Sequence, residues 1–296
     1  SVQDGVGHPA GDALTVRARS GMGGHVALTV DFEFFSDTFA FQKLGTEWVY
    51  GEDGEGGVKR LLELFDRYQV KSTFFVVARH ARPYRELLHD IQRRGHEIAS
   101  HTVVHSRFDG MGKDIAREVV DSKRMLEDEL GAEVRGFRSP AFRIDSAVVE
   151  ALERAGYSYD SSVVPCWHIP GWYGFPKAPV HPFKISELFP MADSALMEFP
   201  VAVSPCIRLP VSGAWMRLFG LGYTMRGIRS SLKAGLDPVL YVHPWEVVEL
   251  PRLKGIPWRV YYRTGQKAFA MIEHMVKNVN AAFVPIRDLL PKGVSG

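Results

Sequence analysis

The chain reads as an α/β protein, a single deformed (β/α) barrel of about seven parallel strands with long loops at its C-terminal face. Two observations lead there. From residue 25 to residue 286, short apolar runs of strand length alternate with amphipathic stretches of helical period, as βαβ units do. Asp31, Glu33, His101, His105, Arg138, Asp160 and His243 all fall at or just after the ends of those runs. In such a barrel the C-terminal strand ends share one face, so residues scattered in sequence meet there. With 296 residues, 46% of them hydrophobic, the chain can bury one core of that size. Residues 1–24, glycine-rich and without apolar period, are expected to form a loose arm, residues 25–290 the barrel domain and residues 291–296 a tail.

The elements follow in order. His25-Val-Ala-Leu-Thr-Val30 is an apolar run that delivers Asp31 and Glu33 to its end, hence a buried strand. Gly45, Gly51, Gly54, Gly56 and Gly57 predict a loop before a helix over 58–68, where Val58, Leu61, Leu62, Phe65 and Tyr68 keep helical spacing. Residues 72–77 form the next strand and 84–94 a helix stopped by Gly95. Residues 96–100 lead into His101, and 114–130 is a long amphipathic helix closed by Gly131. A strand over 134–138 precedes a helix capped by Asp145 and ending near Gly156, and 157–164 is a further strand. Six prolines between 165 and 190, with Trp167, Trp172 and Tyr173, predict a binding loop or lid. A strand over 197–203, one helix over 215–234 with a basic side of Arg217, Arg226, Arg229 and Lys233, a strand over 238–243, a helix over 264–279 and a strand over 282–286 complete the chain.

Composition removes several classes of function. A net charge of +2 without a concentrated basic run gives no case for nucleic acid. No apolar run reaches the roughly 18 residues of a membrane span and the start lacks a charged-then-apolar leader, so a soluble, cytoplasmic chain is expected. Cys166 and Cys206 are expected as free thiols, a bridge between them being the alternative.

The chemistry centres on His101-Thr-Val-Val-His105, whose imidazoles, four residues apart on one turn, have a metal-ligand spacing. Among eleven histidines the pair needs a third ligand to mean anything. Asp31 and Glu33, two apart on a strand that is ending, point the same way, so one can bind metal while the other handles protons. Two imidazoles and a carboxylate leave open positions for water and substrate, which suits amide or ester hydrolysis. Arg138 beside a carboxylate would keep it ionised, and His243 is a candidate general acid.

These residues resemble the polysaccharide deacetylase family, carbohydrate esterase family 4, over about residues 26–290. Leu28-Thr-Val-Asp31-Phe-Glu33 is similar to its first motif, Ser100-His101-Thr-Val-Val-His105 to its second, Arg138-Ser-Pro140-Ala141 to its third and Leu240-Tyr-Val-His243-Pro-Trp-Glu to its fifth. Tyr159-Asp160-Ser-Ser, Glu198-Phe-Pro and His243-Pro-Trp-Glu246 are similar to a branch associated with bacterial exopolysaccharide export loci. The resemblance implies a deformed barrel holding one divalent metal, zinc foremost with cobalt, manganese or iron as alternatives. It implies hydrolysis of N-acetyl groups on a glycan or a lipid-linked amino sugar, with Asp31 as general base and Glu33, His101 and His105 as ligands. Arg138 would orient Asp31, the Ala141 N–H would bind the oxyanion, and His243, with Asp160 as its partner, would protonate the leaving amine. Trp245, Phe142 and Trp167 are candidate sugar contacts, and the basic helix is a candidate membrane-surface contact. Two departures stand out: the ligand position holds Glu33 rather than an aspartate, and Ala141 stands where many relatives have an aromatic residue. A hydrolase of small cyclic ureides and a non-catalytic glycan-binding barrel are the competing functions.

Overall fold

The computed structural model describes residues 23–45, 52–108, 114–190, 194–205 and 207–291, so most of the expected arm and tail, and Cys206, lie outside the described residues. Its strands are β1 (His25–Phe32), β2 (Thr73–Val76), β3 (Glu97–Ser100), β4 (Gly136–Phe137), β5 (Tyr159–Asp160), β6 (Phe183–Lys184), β7 (Met197–Glu198), β8 (Val239–Val242) and β9 (Ala282–Phe283). They form one curled sheet in the order β6-β7-β5-β4-β3-β2-β1-β8, with β9 beside the start of β1. From β8 through β1 to β5 and β7 all neighbours run parallel, and only β6 is antiparallel. Beyond β7, Val201 bridges in parallel to Val239 of β8, and the Ala202 N–H donates to the Val239 carbonyl at 2.8 Å. That single bridge joins the two ends of the curl into the deformed barrel that the sequence predicts.

Alternation along β1 assigns its two faces. Val26, Leu28, Val30 and Phe32 pack outward against the helices, in a core shared with Leu61, Leu62 and Phe65 of α2 (Glu52–Tyr68) and Ile272 and Met275 of α9 (Gln266–Asn278). Ala27, Thr29 and Asp31 point inward. The lower interior is apolar, formed by Ala27, Phe75, Ala99, Tyr159, Phe199 and Val239 and closed beneath by Ile286. Burying each large apolar side chain contributes about 1.5–3 kcal/mol, so this plug makes a rigid floor. The polar layer above it therefore has to find its hydrogen bonds within the protein.

Several elements differ from expectation for identifiable reasons. α2 begins at Glu52, inside the predicted glycine loop. Its glycines serve close approach: a Cβ on Gly54 would meet the Phe34 ring at 1.8 Å, and one on Gly57 the Pro244 carbonyl at 2.2 Å. The expected helix over 215–234 is two helices, α6 (Ala214–Phe219) and α7 (Leu221–Lys233), broken at Gly220 with φ 87°. The strands expected over 134–138 and 157–164 shrink to two paired residues each, although the Arg138 and Ser161 N–H groups still donate to the Ser100 and Phe137 carbonyls of the neighbouring strands. The proline-rich loop is largely irregular, containing only β6 and a 3-10 turn at Ile185–Glu187. Helices over Arg85–Arg93, Asp114–Leu130 and Ser146–Arg154 stand where the periodicity puts them, the last capped by the Asp145 carboxylate on the Val148 N–H at 3.0 Å.

Candidate active site

β1 brings up Asp31, which is 3% exposed, and then Glu33, 4% exposed. Arg138, at the end of β4, is fully buried and holds this corner together. Its Nη1 donates to Asp31 Oδ1 at 2.6 Å and to Thr29 Oγ1 at 2.7 Å, while Nε and Nη2 donate to the Ser161 carbonyl and hydroxyl at 3.0 and 2.8 Å. The guanidinium lies over the Phe75 ring at 4.1 Å, so the apolar floor supports it from below. Asp31 Oδ1 is thus fixed, and Oδ2 is left facing His243 Nε2 at 3.8 Å.

Glu33, His101 and His105 converge, each offering one ligand atom, with these atoms all within 4.8 Å of one another. The two histidines do not share a regular turn. Residues 101–108 form an irregular loop in which Thr102 and His105 adopt left-handed φ of 66° and 57°, and this contortion brings their rings to 5.0 Å. Positive φ at a β-branched threonine costs on the order of 1–3 kcal/mol, and surrounding contacts hold it there. The Thr102 carbonyl accepts from the Ala78 N–H at 2.9 Å, and Glu118 accepts from the Val103 N–H at 2.8 Å. His101 Nδ1 donates to the Arg138 carbonyl at 2.7 Å and His105 Nδ1 to the Asp37 carbonyl at 2.8 Å. With Nδ1 so engaged, each ring presents its Nε2 on the side of Glu33, and His105 Nε2 contacts Glu33 Oε2, which is how metal-ligating histidines are oriented. Two imidazole nitrogens and a carboxylate oxygen fit a divalent metal of the zinc type. Burial disfavours charge on His101 and, with His105 beside it, pulls its ring down to about 3. Burial would raise the Glu33 carboxyl, but His105 and His243 together hold it below its ordinary range.

His243 follows β8. Its Nε2 lies 3.5 Å from Glu33 Oε1, and its Nδ1 lies 3.3 Å from Glu246 Oε2. Burial lowers its ring, yet Glu33, Glu246 and Asp31 raise it more, up to about 9. The partner expected for His243 was Asp160; the structure puts Glu246 there. Asp160 instead accepts from the Ser162 N–H and hydroxyl at 3.0 and 2.7 Å and forms a buried pair with Glu198. Burial raises both carboxyls; Asp160 pushes Glu198 up further, whereas a hydrogen bond with Glu198 pulls Asp160 partly back.

The remaining candidates divide. Ala141, with φ 52°, has an N–H without a hydrogen-bond partner among the described residues, as an oxyanion donor requires. Phe142 is no surface contact: it is buried against Tyr173 and Tyr241. Trp245 is also buried, stacked 5.1 Å from His243 and donating its Nε1–H to Glu33 Oε1 at 2.9 Å, so it holds the site instead of lining it. Trp167 is 60% exposed. Arg217 leaves the expected basic surface: it is buried, donating to Glu246 Oε1 at 2.7 Å and to the Tyr262 carbonyl at 2.6 Å. Sequence reasoning missed the roles of Asp37, Arg217 and Glu246. The signal for Glu246 was its position three residues after His243, whose N–H donates to Glu246 Oε2 at 3.0 Å in an N-cap arrangement.

The family model described as polysaccharide deacetylase matches residues 48–159, and a second, described as a domain of unknown function (DUF3473), matches residues 161–290. A peptidoglycan deacetylase-like protein of Gibberella zeae is 32% identical over 113 residues, 37% of this chain and 33% of that one. The chain spans between a third and a half of the length of such curated relatives. Among solved structures, a Mycobacterium smegmatis protein described as a polysaccharide deacetylase superposes with TM-score 0.63 at 20% identity, covering 93% of this chain and 91% of that one. The PuuE allantoinase superposes with TM-score 0.60 at 14% identity, covering 90% and 89%. Both share the fold, and the fold alone does not separate their chemistries.

Proposed function

Since the chain belongs to the polysaccharide deacetylase family, we propose that it hydrolyses the N-acetyl group of an N-acetylhexosamine unit in a glycan or a lipid-linked amino sugar. The observation that carries this reading is the placement of Asp31 and His243 together beside the Glu33, His101 and His105 cluster, with His243 Nε2 3.8 Å from Asp31 Oδ2 and 3.5 Å from Glu33 Oε1. Glu33, His101 and His105 would hold one divalent metal, zinc being the first candidate. When bound, that ion supplies a Lewis acid for the amide carbonyl and makes a water acidic.

The chain's own groups do the rest. Asp31 Oδ2 accepts the proton of the attacking water while Arg138 pins Oδ1 and keeps the carboxylate oriented. The Ala141 N–H donates to the oxyanion that develops on the acetyl oxygen, a contribution of about 3 kcal/mol for donors of this kind. The protonated Nε2 of His243 gives its proton to the leaving amine, and Glu246 on the far side keeps the ring turned that way. Amine and acetate are the products.

The test is acetate release from N-acetylglucosamine oligomers, run with a panel of cyclic ureides, before and after chelation. Acetate from the sugars that is lost on chelation and lost in Asp31→Asn is the expected result. Turnover of the ureides alone would assign the site to the other chemistry, and a fully active Asp31→Asn would refute the base.

A further inference from the structure

We propose that Asp160 and Ser162 are positioning residues for the reaction: the Asp160 carboxylate sets the Ser162 hydroxyl, and that hydroxyl holds the turn over 139–143 in the conformation that presents the Ala141 N–H. This rests on the deacetylase reading and gives Asp160 a task in place of the one expected of it.

The turn is strained and is organised by Ser139. Ala141 and Phe142 are consecutive residues with left-handed φ of 52° and 55°, and neither is glycine, so contacts have to hold the backbone there. The Ser139 carbonyl accepts from the Phe142 N–H at 3.0 Å, the Pro140 carbonyl accepts from the Arg143 N–H at 3.3 Å, and the Ser139 hydroxyl donates to the Arg143 carbonyl. The Phe142 ring anchors the far end against Tyr173 and Tyr241. At the near end the Ser139 N–H donates to Ser162 Oγ at 2.8 Å. The same peptide group is held from its other side, where the Arg138 carbonyl accepts from His101 Nδ1 at 2.7 Å. Its plane is thereby fixed, and the direction of the Ala141 N–H follows two peptide groups further on.

A hydroxyl proton is free to rotate, and here a carboxylate fixes it. The Ser162 hydroxyl donates to Asp160 Oδ1 at 2.7 Å, which turns a lone pair toward the Ser139 N–H, and the Ser162 N–H donates to Asp160 Oδ2 at 3.0 Å. Both oxygens of Asp160 therefore act as acceptors. Asp160 is in register with Glu198 on β7, and the two carboxyls are hydrogen-bonded, which requires one proton between them. Glu198 Oε1 accepts from the Val163 N–H at 2.9 Å, and Oε2 has no other partner among the described residues. The proton is accordingly on Glu198, which donates it, and Asp160 is left to accept. The Ser161 side chain points the other way, its hydroxyl accepting from Arg138 Nη2 at 2.8 Å. Consecutive serines thus fix two sides of one joint: Ser161 the guanidinium that orients Asp31, and Ser162 the backbone that leads to Ala141.

The experiment measures kcat and KM for acetate release from N-acetylglucosamine oligomers, metal content and backbone amide exchange in the wild type, Ser162→Ala and Asp160→Asn. Ser162→Ala deletes the bridging hydroxyl, and Asp160→Asn keeps the shape but replaces one acceptor oxygen by a donor. An oxyanion contact is made only in the transition state, so each variant should lower kcat by on the order of tenfold to a hundredfold, with KM and metal content unchanged. The Phe142 and Arg143 amides, whose own hydrogen bonds do not involve Ser162, should exchange faster. A role confined to stability would leave kcat of the folded enzyme as it was. Either variant with the wild-type kcat overturns the proposal. So does a fall in kcat that comes with lost metal, which would place the effect at His101, or one with unchanged exchange at Phe142 and Arg143. If the wild type releases no acetate, the deacetylase reading has failed and exchange decides the positioning by itself. Faster exchange at those two amides in both variants upholds it, and unchanged exchange overturns it.

Discussion

Arg217 and Glu246 form a fully buried ion pair whose far end steadies the proposed acid. Glu246→Gln leaves the Arg217 guanidinium buried without its counter-charge, and loss of one partner in such a pair costs about 3–5 kcal/mol, to be read from urea denaturation. The same carboxylate gives an acid signature. Burial would raise it, but Arg217 and His243 hold it at about 2 against an ordinary 4.5. Its contribution to stability is therefore complete above about pH 4.5 and drains away as pH falls toward 2. His96 adds a second, higher window. Its ring is packed against Phe65 and Phe74, its Nδ1 accepts from the Ser72 N–H at 3.1 Å, and burial takes it down to about 4 from 6.5. The unfolded chain binds that proton first, so stability falls as pH drops from about 6.5 to about 4. Thermal melts across this range should show the slope, and His96→Gln should flatten it. At this scale the sequence was legible for residues that act through their own atoms, such as Asp31, His101 and His105. It was silent on Asp37, which orients His105 through a backbone carbonyl that any residue type would supply.

Helix α2 controls the site by proximity. Gly57 lies against the Pro244 carbonyl, one residue beyond His243, and a methyl group there would have to displace backbone. Gly57→Ala, a change that favours helix by about 1 kcal/mol in isolation, should instead lower kcat by displacing His243 and Trp245, with metal content of the purified protein unchanged. A variant as active as wild type would show that the 244–247 turn has room to move. The glycine pattern explains a misreading as well: the same residues signal a turn or a close approach, and one sequence does not tell which. α6 was hidden for a related reason, since the apolar period runs on through Gly220 and only the positive φ there reveals the break. α3 (Arg85–Arg93), α4 (Asp114–Leu130) and α5 (Ser146–Arg154) were legible because each keeps one apolar face toward the sheet and has a glycine soon after its last turn.

The two family matches divide the chain at residue 160, but the sheet does not divide there. β5 straddles the boundary, Ser161 on one side holds Arg138 on the other, and the proposed acid and base come from opposite halves. Residues 23–160 and 161–290 expressed separately should each lack a cooperative melt, whereas the joined chain should show one. The alternation of strands and helices was readable over this whole length because both halves obey one period, while the order of β6 and β7 was not, since two-residue strands leave no pattern. The bridge from Val201 to Val239 gives the molecule a clasp. A hoop fastened at one point breathes at that point, so the Ala202 amide should exchange with deuterated solvent ahead of the amides of β1 and β2. Opening there would part the wall between β7 and β8, leaving β1 and its carboxylates in place, and the barrel would flex without disturbing its chemistry.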